Sequence, residues 1–223
     1  MNQLPARSLH RIVIVGGGAG GLELAAILGR KLGRTGKAEI TLVDAARTHL
    51  WKPLLHQVAA GTLDSREDEM EYFALTRKHH FSFRLGRMEG LQRASKEIVL
   101  APMPDEDGAE LLPRQIVPYD TLVFALGSQS NDFGTPGVRD HCILLDTPVA
   151  AERFHQRLIN SCIRAQAAAK SNCEGRFTVT IIGGGSTGVE LSAELRMTTT
   201  ILSSYGLAQF NPKKEPKIVL IDL

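Results

Sequence analysis

The sequence predicts an α/β chain in which parallel strands alternate with helices and one strand, turn and helix unit occurs twice. Three observations carry this. Ile12 to Val15, an unbroken β-branched run, leads into Gly16, Gly18 and Gly21 and then into LELAAILGRKLG, whose apolar residues recur at helical spacing. Phe177 to Glu190, FTVTIIGGGSTGVE, repeats that order with Gly183, Gly185 and Gly188. Each unit is followed by an apolar strand tipped with an acid, ITLVD ending at Asp44 and KIVLID ending at Asp222.

Each part of the repeated unit has a physical reason. A strand made only of β-branched residues has no solvated side, as expected of a parallel strand covered by helices. Of the glycines, the first lets the chain turn, the second lets backbone N–H groups approach a pyrophosphate, and the third lets the helix pack closely on the strand. An acid about 20 residues further on is where a ribose hydroxyl pair is held, and Asp44 sits there. Asp222 lies further from its last glycine, which fits an inserted loop or helix extension through Thr198 to Pro216. Two such fingerprints imply two dinucleotides, and a redox reaction between them implies a flavin facing a nicotinamide.

Composition narrows the field. At 223 residues and 43% hydrophobic content, the chain can bury one large core or two modest ones. A net charge of +2, from scattered lysines and arginines, gives no footprint for nucleic acid. Cys142, Cys162 and Cys173 include no CxxC pair and no metal-ligand spacing, so they read as buried or incidental thiols and no metal is expected. The segment before the first strand lacks an apolar signal sequence, and no run of about 18 apolar residues occurs, so neither export nor a membrane span is expected.

Between the two fingerprints, PLLHQVAAG reads as a short helix capped by Gly61. Trp51 is either a core anchor or a residue alongside a cofactor. Asp64 to Lys78 runs from acids to bases as a helix dipole favours, with a solvated charged face. His79 and His80, adjacent and so unable to chelate together from a strand, read as structural. FSFRLGRMEGLQRASKEIVLAP reads as a hairpin, Pro102 to Pro113 as a polar loop, and LVFALG as another buried parallel strand with Gly127 and Ser128 at its ligand-binding end. Thr147 to Arg164 reads as an amphipathic helix and Ala165 to Gly175 as a polar link. The domain boundary is expected between Leu145 and Phe177, with residues 1–145 as the first domain and 146–223 as a linker helix and the first half of the second.

Taken together, IVIVGGGAGGLE, KAEITLVD, HLWKPLLHQVAAGTLD, YDTLVFALGSQSNDFGTPGV, AAERFHQ and IIGGGSTGVELSAEL resemble the type II, non-proton-pumping NADH:quinone oxidoreductases, flavoproteins with a Rossmann-like, disulfide reductase-like FAD/NAD(P)-binding fold. The resemblance implies that Gly16, Gly18, Gly21 and Asp44 hold FAD. It also implies that Lys52, Pro53 and Leu54 line the flavin, that Met88 meets the adenine through its backbone, and that Ala125 and Gly127 belong to the small-residue loop beside FAD. Gly183, Gly185, Gly188 and Asp222 would hold NADH, and an acid at Asp222 would repel the 2′-phosphate of NADPH. Glu190 would be the acid near nicotinamide and quinone, or else a first-turn acid complementing the helix dipole. Glu23, at the equivalent place in the first unit, reads as structural.

Two departures qualify the resemblance. The stretch from His49 to Gly61 contains no cysteine, so a thiol relay is not expected. The chain stops just after the second strand of the second unit, so we expect an N-terminal fragment with a truncated second unit, unable to turn over alone. For the intact protein the resemblance implies hydride transfer from NADH to flavin, then two electrons to a membrane quinone. It also implies peripheral membrane association through a C-terminal region absent here, at the cytoplasmic face of the inner membrane, while this fragment would be soluble and cytoplasmic. Rival expectations are a soluble NADH-dependent reductase of a ferredoxin or rubredoxin, and a non-catalytic nucleotide-binding or assembly fragment. An unpaired edge at KIVLID leaves a homodimer open.

Overall fold

In the computed structural model, which describes residues 9–64, 70–170, 177–204 and 216–222, the helices of six or more residues are α1 (Ala19–Leu28), α2 (Leu55–Ala60), α3 (Tyr72–His79), α4 (Pro148–Lys170) and α5 (Ser186–Ser204). Strands follow as β1 (His10–Val15), β2 (Ala38–Asp44), β3 (Thr48–His49), β4 (Met70–Glu71), β5 (Ser82–Leu85), β6 (Met88–Gln92), β7 (Glu97–Leu100), β8 (Met103–Pro104), β9 (Glu110–Leu112), β10 (Gln115–Pro118), β11 (Thr121–Phe124), β12 (Thr178–Ile182) and β13 (Lys217–Ile221). The chain divides into two compact units, Met1–Leu50 with Glu69–Ser128, and Trp51–Asp68 with Gln129–Leu223.

The first unit is organised by β1. A parallel sheet runs in the order β11-β1-β2-β5. Successive side chains of a strand point to opposite faces, and here both faces are buried. Val13 and Val15 join Val43, Ile98, Leu100 and Val117 on one side, while Ile14 joins Ala25, Ile40, Leu42, Tyr72 and Phe81 on the other. Fully burying a side chain such as Ile14 contributes roughly 1.5–3 kcal/mol. Only the second face is covered by helices. The first is covered by the antiparallel sheet β10-β7-β6, so the expectation of helices on both sides is corrected by residues that read as loop and hairpin.

Other expectations also shift. Ser82–Leu85 is not a hairpin arm but the outer parallel strand beside β2, and the hairpin begins only at Met88. The 102–113 loop carries the short β8/β9 pair. LVFALG is parallel as expected, yet it is an edge strand with Phe124 half exposed at 51%. The helix expected from Asp64 begins at Tyr72, because Met70 and Glu71 pair with His49 and Thr48 and the Tyr72 N–H donates to the Arg47 carbonyl; residues 65–69 lie outside the described residues. It ends at His80, which takes a left-handed conformation.

In the second unit α2 packs on α4 and α5, and the parallel pair β12/β13 follows. Gly61 closes α2 in the left-handed conformation expected of it, φ 80°, with its Cα against the His155 ring. α4 continues to Lys170 through the stretch read as a polar link, since Ala167 to Ala169 favour helix. The expected boundary at 145/146 falls inside this unit. Of the insertion expected over Thr198 to Pro216, residues through Ser204 extend α5, and 205–215 lie outside the described residues. No described helix is long and apolar enough to cross a membrane.

Candidate dinucleotide sites

Both glycine turns are built alike, and the likeness extends to atoms. Gly16 and Gly183 each take a φ open to glycine, 105° and 112°, and each donates its N–H to the strand that ends in the acid, to Val43 O and Ile221 O at 2.8 Å. A Cβ on Gly21 would lie 1.8 Å from the Gly16 carbonyl oxygen, and a Cβ on Gly188 would lie 2.1 Å from that of Gly183. The third glycine therefore seats the helix on the turn in both copies. At Gly18 and Gly185 an added Cβ would meet nothing within 4 Å. Open space lies there, in front of the N-termini of α1 and α5, whose free N–H groups and dipole favour an anion.

The first turn also stands where the parallel sheet changes direction, between β1 and β11, the place where open α/β sheets bind ligands. Ala125 donates its N–H to Val15 O at 2.8 Å, and its carbonyl oxygen would lie 2.4 Å from a Cβ on Gly16. Gly127 faces open space. The structure thus brings Gly16, Gly18, Gly21, Asp44 and Ala125 together at one end of the sheet. Met88 opens β6 at the edge of the core cluster around Val13.

Asp44 and Asp222 again behave as a pair. The Asp44 Oδ2 accepts the Gly17 N–H at 2.5 Å and its Oδ1 accepts the Ala46 N–H at 2.8 Å, while the Asp222 Oδ1 accepts the Gly184 N–H at 3.1 Å. Each acid holds the middle residue of its glycine turn. That middle residue is glycine for different reasons: a Cβ on Gly17 would strike the Tyr72 hydroxyl at 2.2 Å, and one on Gly184 would strike the Asp222 carboxylate at 2.7 Å.

Residues that the spacing did not single out complete the first turn. The Tyr72 hydroxyl, on a ring only 2% exposed, donates to the Gly17 carbonyl at 2.7 Å. His49 is also buried; burial holds its pKa below the ordinary value, although the Gly17 carbonyl and Asp44 oppose the shift. Burial, followed by the Asp44 charge, pushes the Tyr72 phenol well above its usual range, so it stays a donor. The sequence signal was the extra glycine at 17, which has no role in the spacing rule.

In the second unit Lys52, Pro53 and Leu54 form one tight helical turn ahead of α2. The Lys52 Nζ lies 2.9 Å from Asp146 Oδ1, and both Asp146 oxygens accept the Ser130 N–H, at 3.1 and 3.0 Å. Burial alone would raise the Asp146 pKa, but Lys52 and Ser130 outweigh it and hold the carboxyl below its ordinary value. Trp51 is 56% exposed and so is no core anchor. Glu190, half exposed on the first turns of α5, has its Oε2 3.6 Å from Nδ1 of the buried His56, a nitrogen with no hydrogen-bond partner among the described residues. Pro53, Leu54, Gln57 and Glu194 line the same open groove. Cys162 is fully buried, which pushes its thiol up to about 11, and Cys142 is half-buried; Cys173 lies outside the described residues. Among the described residues no group of three potential ligands could hold a metal ion.

Two parallel-strand units, each with a glycine turn open in front of a helix and an acid bound to its centre, define a nucleotide-binding flavoprotein-type fold. Residues 10–206 match the pyridine nucleotide-disulphide oxidoreductase family, and the chain belongs to it. It is 43% identical over 91% of its length to a type II NADH:quinone oxidoreductase of Haemophilus influenzae, covering 48% of that protein. The chain spans about half the length of the curated relatives it matches. A solved NDH2 from Plasmodium falciparum in complex with NADH superposes with a TM-score of 0.75 at 19% identity, covering 96% of this chain and 41% of that one. An NADH:rubredoxin oxidoreductase from Clostridium acetobutylicum superposes at 0.60 and 17% identity, over 96% of this chain and 45% of that one. At these identities the two structures speak to the fold.

Proposed function

We propose that this chain supplies the FAD site and part of the NADH site of an NADH:quinone oxidoreductase acting at the cytoplasmic face of the inner membrane. The observation that carries this is the repetition of the glycine turn, with the third glycine seated on the first and open space at Gly18 and at Gly185, in a chain 43% identical to a type II enzyme. The first unit, within residues 1–145, takes FAD on Gly16, Gly18 and Gly21, and residues 146–223 take NADH on Gly183, Gly185 and Gly188. FAD held there would supply the two-electron chemistry between NADH and a membrane quinone.

The remaining work belongs to the chain's own side chains. Asp222 carries a negative charge at the nucleotide's ribose end and so selects NADH against the 2′-phosphate of NADPH. Lys52, Pro53 and Leu54 line the flavin, with Lys52 kept in place by Asp146. Glu190 stands at the reacting end as the acid that holds or gives a proton to the quinone, and His56 Nδ1 lies within reach of it. Met88, Ala125 and Gly127 border the FAD site from the first unit.

The test is anaerobic. The chain is loaded with FAD, reduced with NADH, and then given a short-chain ubiquinone or an oxidised ferredoxin. Although the sequence leads us to expect no sustained turnover by this chain alone, both glycine turns are formed in it, so a single round of reoxidation by the quinone alone is expected, and faster reoxidation by ferredoxin would overturn the acceptor. Glu190→Gln is expected to leave reduction by NADH within about twofold while slowing quinone reduction by about a hundredfold, the range of a lost general acid.

A further inference from the structure

The geometry points to Tyr72 as a positioning residue that aims the Gly18 N–H at the phosphate of a dinucleotide on the first turn. This rests on the flavin reading of that turn. The warrant is the peptide bond between Gly17 and Gly18. In a trans peptide the C=O and the following N–H point in opposite directions. Here the Gly17 oxygen is drawn into the core, where it accepts from the Tyr72 hydroxyl at 2.7 Å. The Gly18 N–H therefore points out of the core, toward space in which a Cβ on Gly18 meets no atom.

Two further effects act in the same sense. A carbonyl that accepts hydrogen bonds polarises its own peptide, and its N–H becomes a stronger donor to an anion. The brace is also rigid: the Tyr72 ring stacks on Phe83 at 4.8 Å and lies 6.2 Å from His49, and the Gly17 N–H on the other side of the residue is tied to Asp44 at 2.5 Å. Gly17 is thus held at both its N–H and its C=O before any ligand arrives, which removes an ordering cost from binding. The second turn lacks this device. Among the described residues no side chain donates to the Gly184 carbonyl, and Asp222 alone holds that residue. The first turn is built for a resident nucleotide and the second for one that comes and goes.

Tyr72→Phe keeps the ring and removes the hydroxyl. Flavin fluorescence quenching on the full chain is expected to show FAD Kd raised about tenfold, the effect of one buried hydrogen bond lost. Among the described residues the Gly18 N–H has no partner in the flavin-free chain, and its amide exchange is expected to slow, because the hydroxyl no longer draws charge through that peptide. Ile98→Val, in the core on the opposite face of the sheet and outside the brace, is the stability control; it should lower the thermal midpoint and leave FAD Kd within about twofold. Equal FAD affinity and equal Gly18 exchange in wild type and Tyr72→Phe would overturn the brace. Gly18→Val that still binds FAD as wild type does would instead overturn the flavin reading of the turn, and Gly18 exchange in Tyr72→Phe then decides the brace by itself.

Discussion

Glycines two or three positions apart in one turn do unlike jobs, and an added carbon tells them apart. At Gly21 the carbon would stand 1.8 Å from the backbone oxygen of Gly16, an atom that cannot swing away. At Gly18 it would stand in open space. Gly21→Ala is therefore expected to destabilise the chain by about 3 kcal/mol or more, read as a drop in the urea midpoint. Gly18→Val is expected to fold with a near-normal midpoint and to lose FAD retention, read as flavin absorbance after desalting. Unchanged FAD occupancy would sink the assignment of the first turn. The motif and its glycines were legible in the sequence because spacing along one local turn encodes them. Tyr72, His49 and the Asp146–Lys52 pair were not, because their partners lie far away in the chain and no local pattern marks the meeting.

At the scale of the element, α2 shows what periodicity can and cannot reveal. PLLHQVAAG announced a short helix with a glycine stop, and that helix is present with Gly61 left-handed after it. Six residues form too short a helix to stand alone in water. It persists because Leu55, Val58, Ala59 and Ala60 are buried and because the Thr198 hydroxyl of α5 donates to the Ala60 carbonyl at 2.9 Å, satisfying one of the acceptors left free at a helix end. Leu195, fully buried one turn before Thr198, is the apolar counterpart. Leu195→Ala is expected to cost about 3 kcal/mol, and Thr198→Val about 1 kcal/mol; equilibrium urea unfolding checks both. The strands that were misjudged share one cause. Ser82–Leu85 and Thr121–Phe124 are edge strands of a parallel sheet with half-exposed side chains, and a short run read in isolation does not say which neighbour it pairs with.

At the scale of the whole chain, its response to acid follows from three carboxyls held below their ordinary pKa. The hydrogen bond from Arg11 holds Asp120 down, the Gly134 N–H and then Arg139 hold Asp132, and Lys52 with Ser130 outweighs burial at Asp146. Each contributes stability that is fully present above the unfolded carboxylate value of about 3.9 and is lost as pH falls through the depressed folded value. Asp120→Asn should flatten that acid limb, since Asp120 also ties β1 to the chain before β11 by accepting the Arg11 backbone N–H at 2.8 Å. Urea midpoints at pH 7 and pH 3 check this; a difference between the two as large in the variant as in wild type would count against it. At the alkaline side Cys162, buried and raised to about 11, is expected to resist iodoacetamide at pH 8 until the chain is unfolded.

In the proposed function the two turns hold different nucleotides, flavin on the first and nicotinamide on the second. The most direct measurement is the anaerobic visible spectrum of FAD-loaded Gly185→Val before and after NADH, beside the wild-type chain. Flavin bands of equal height are expected in both proteins at the start, with bleaching of the wild type by NADH and no bleaching of the variant. Bleaching of Gly185→Val at the wild-type rate, or a variant that has lost its flavin while still folded, would contradict that assignment.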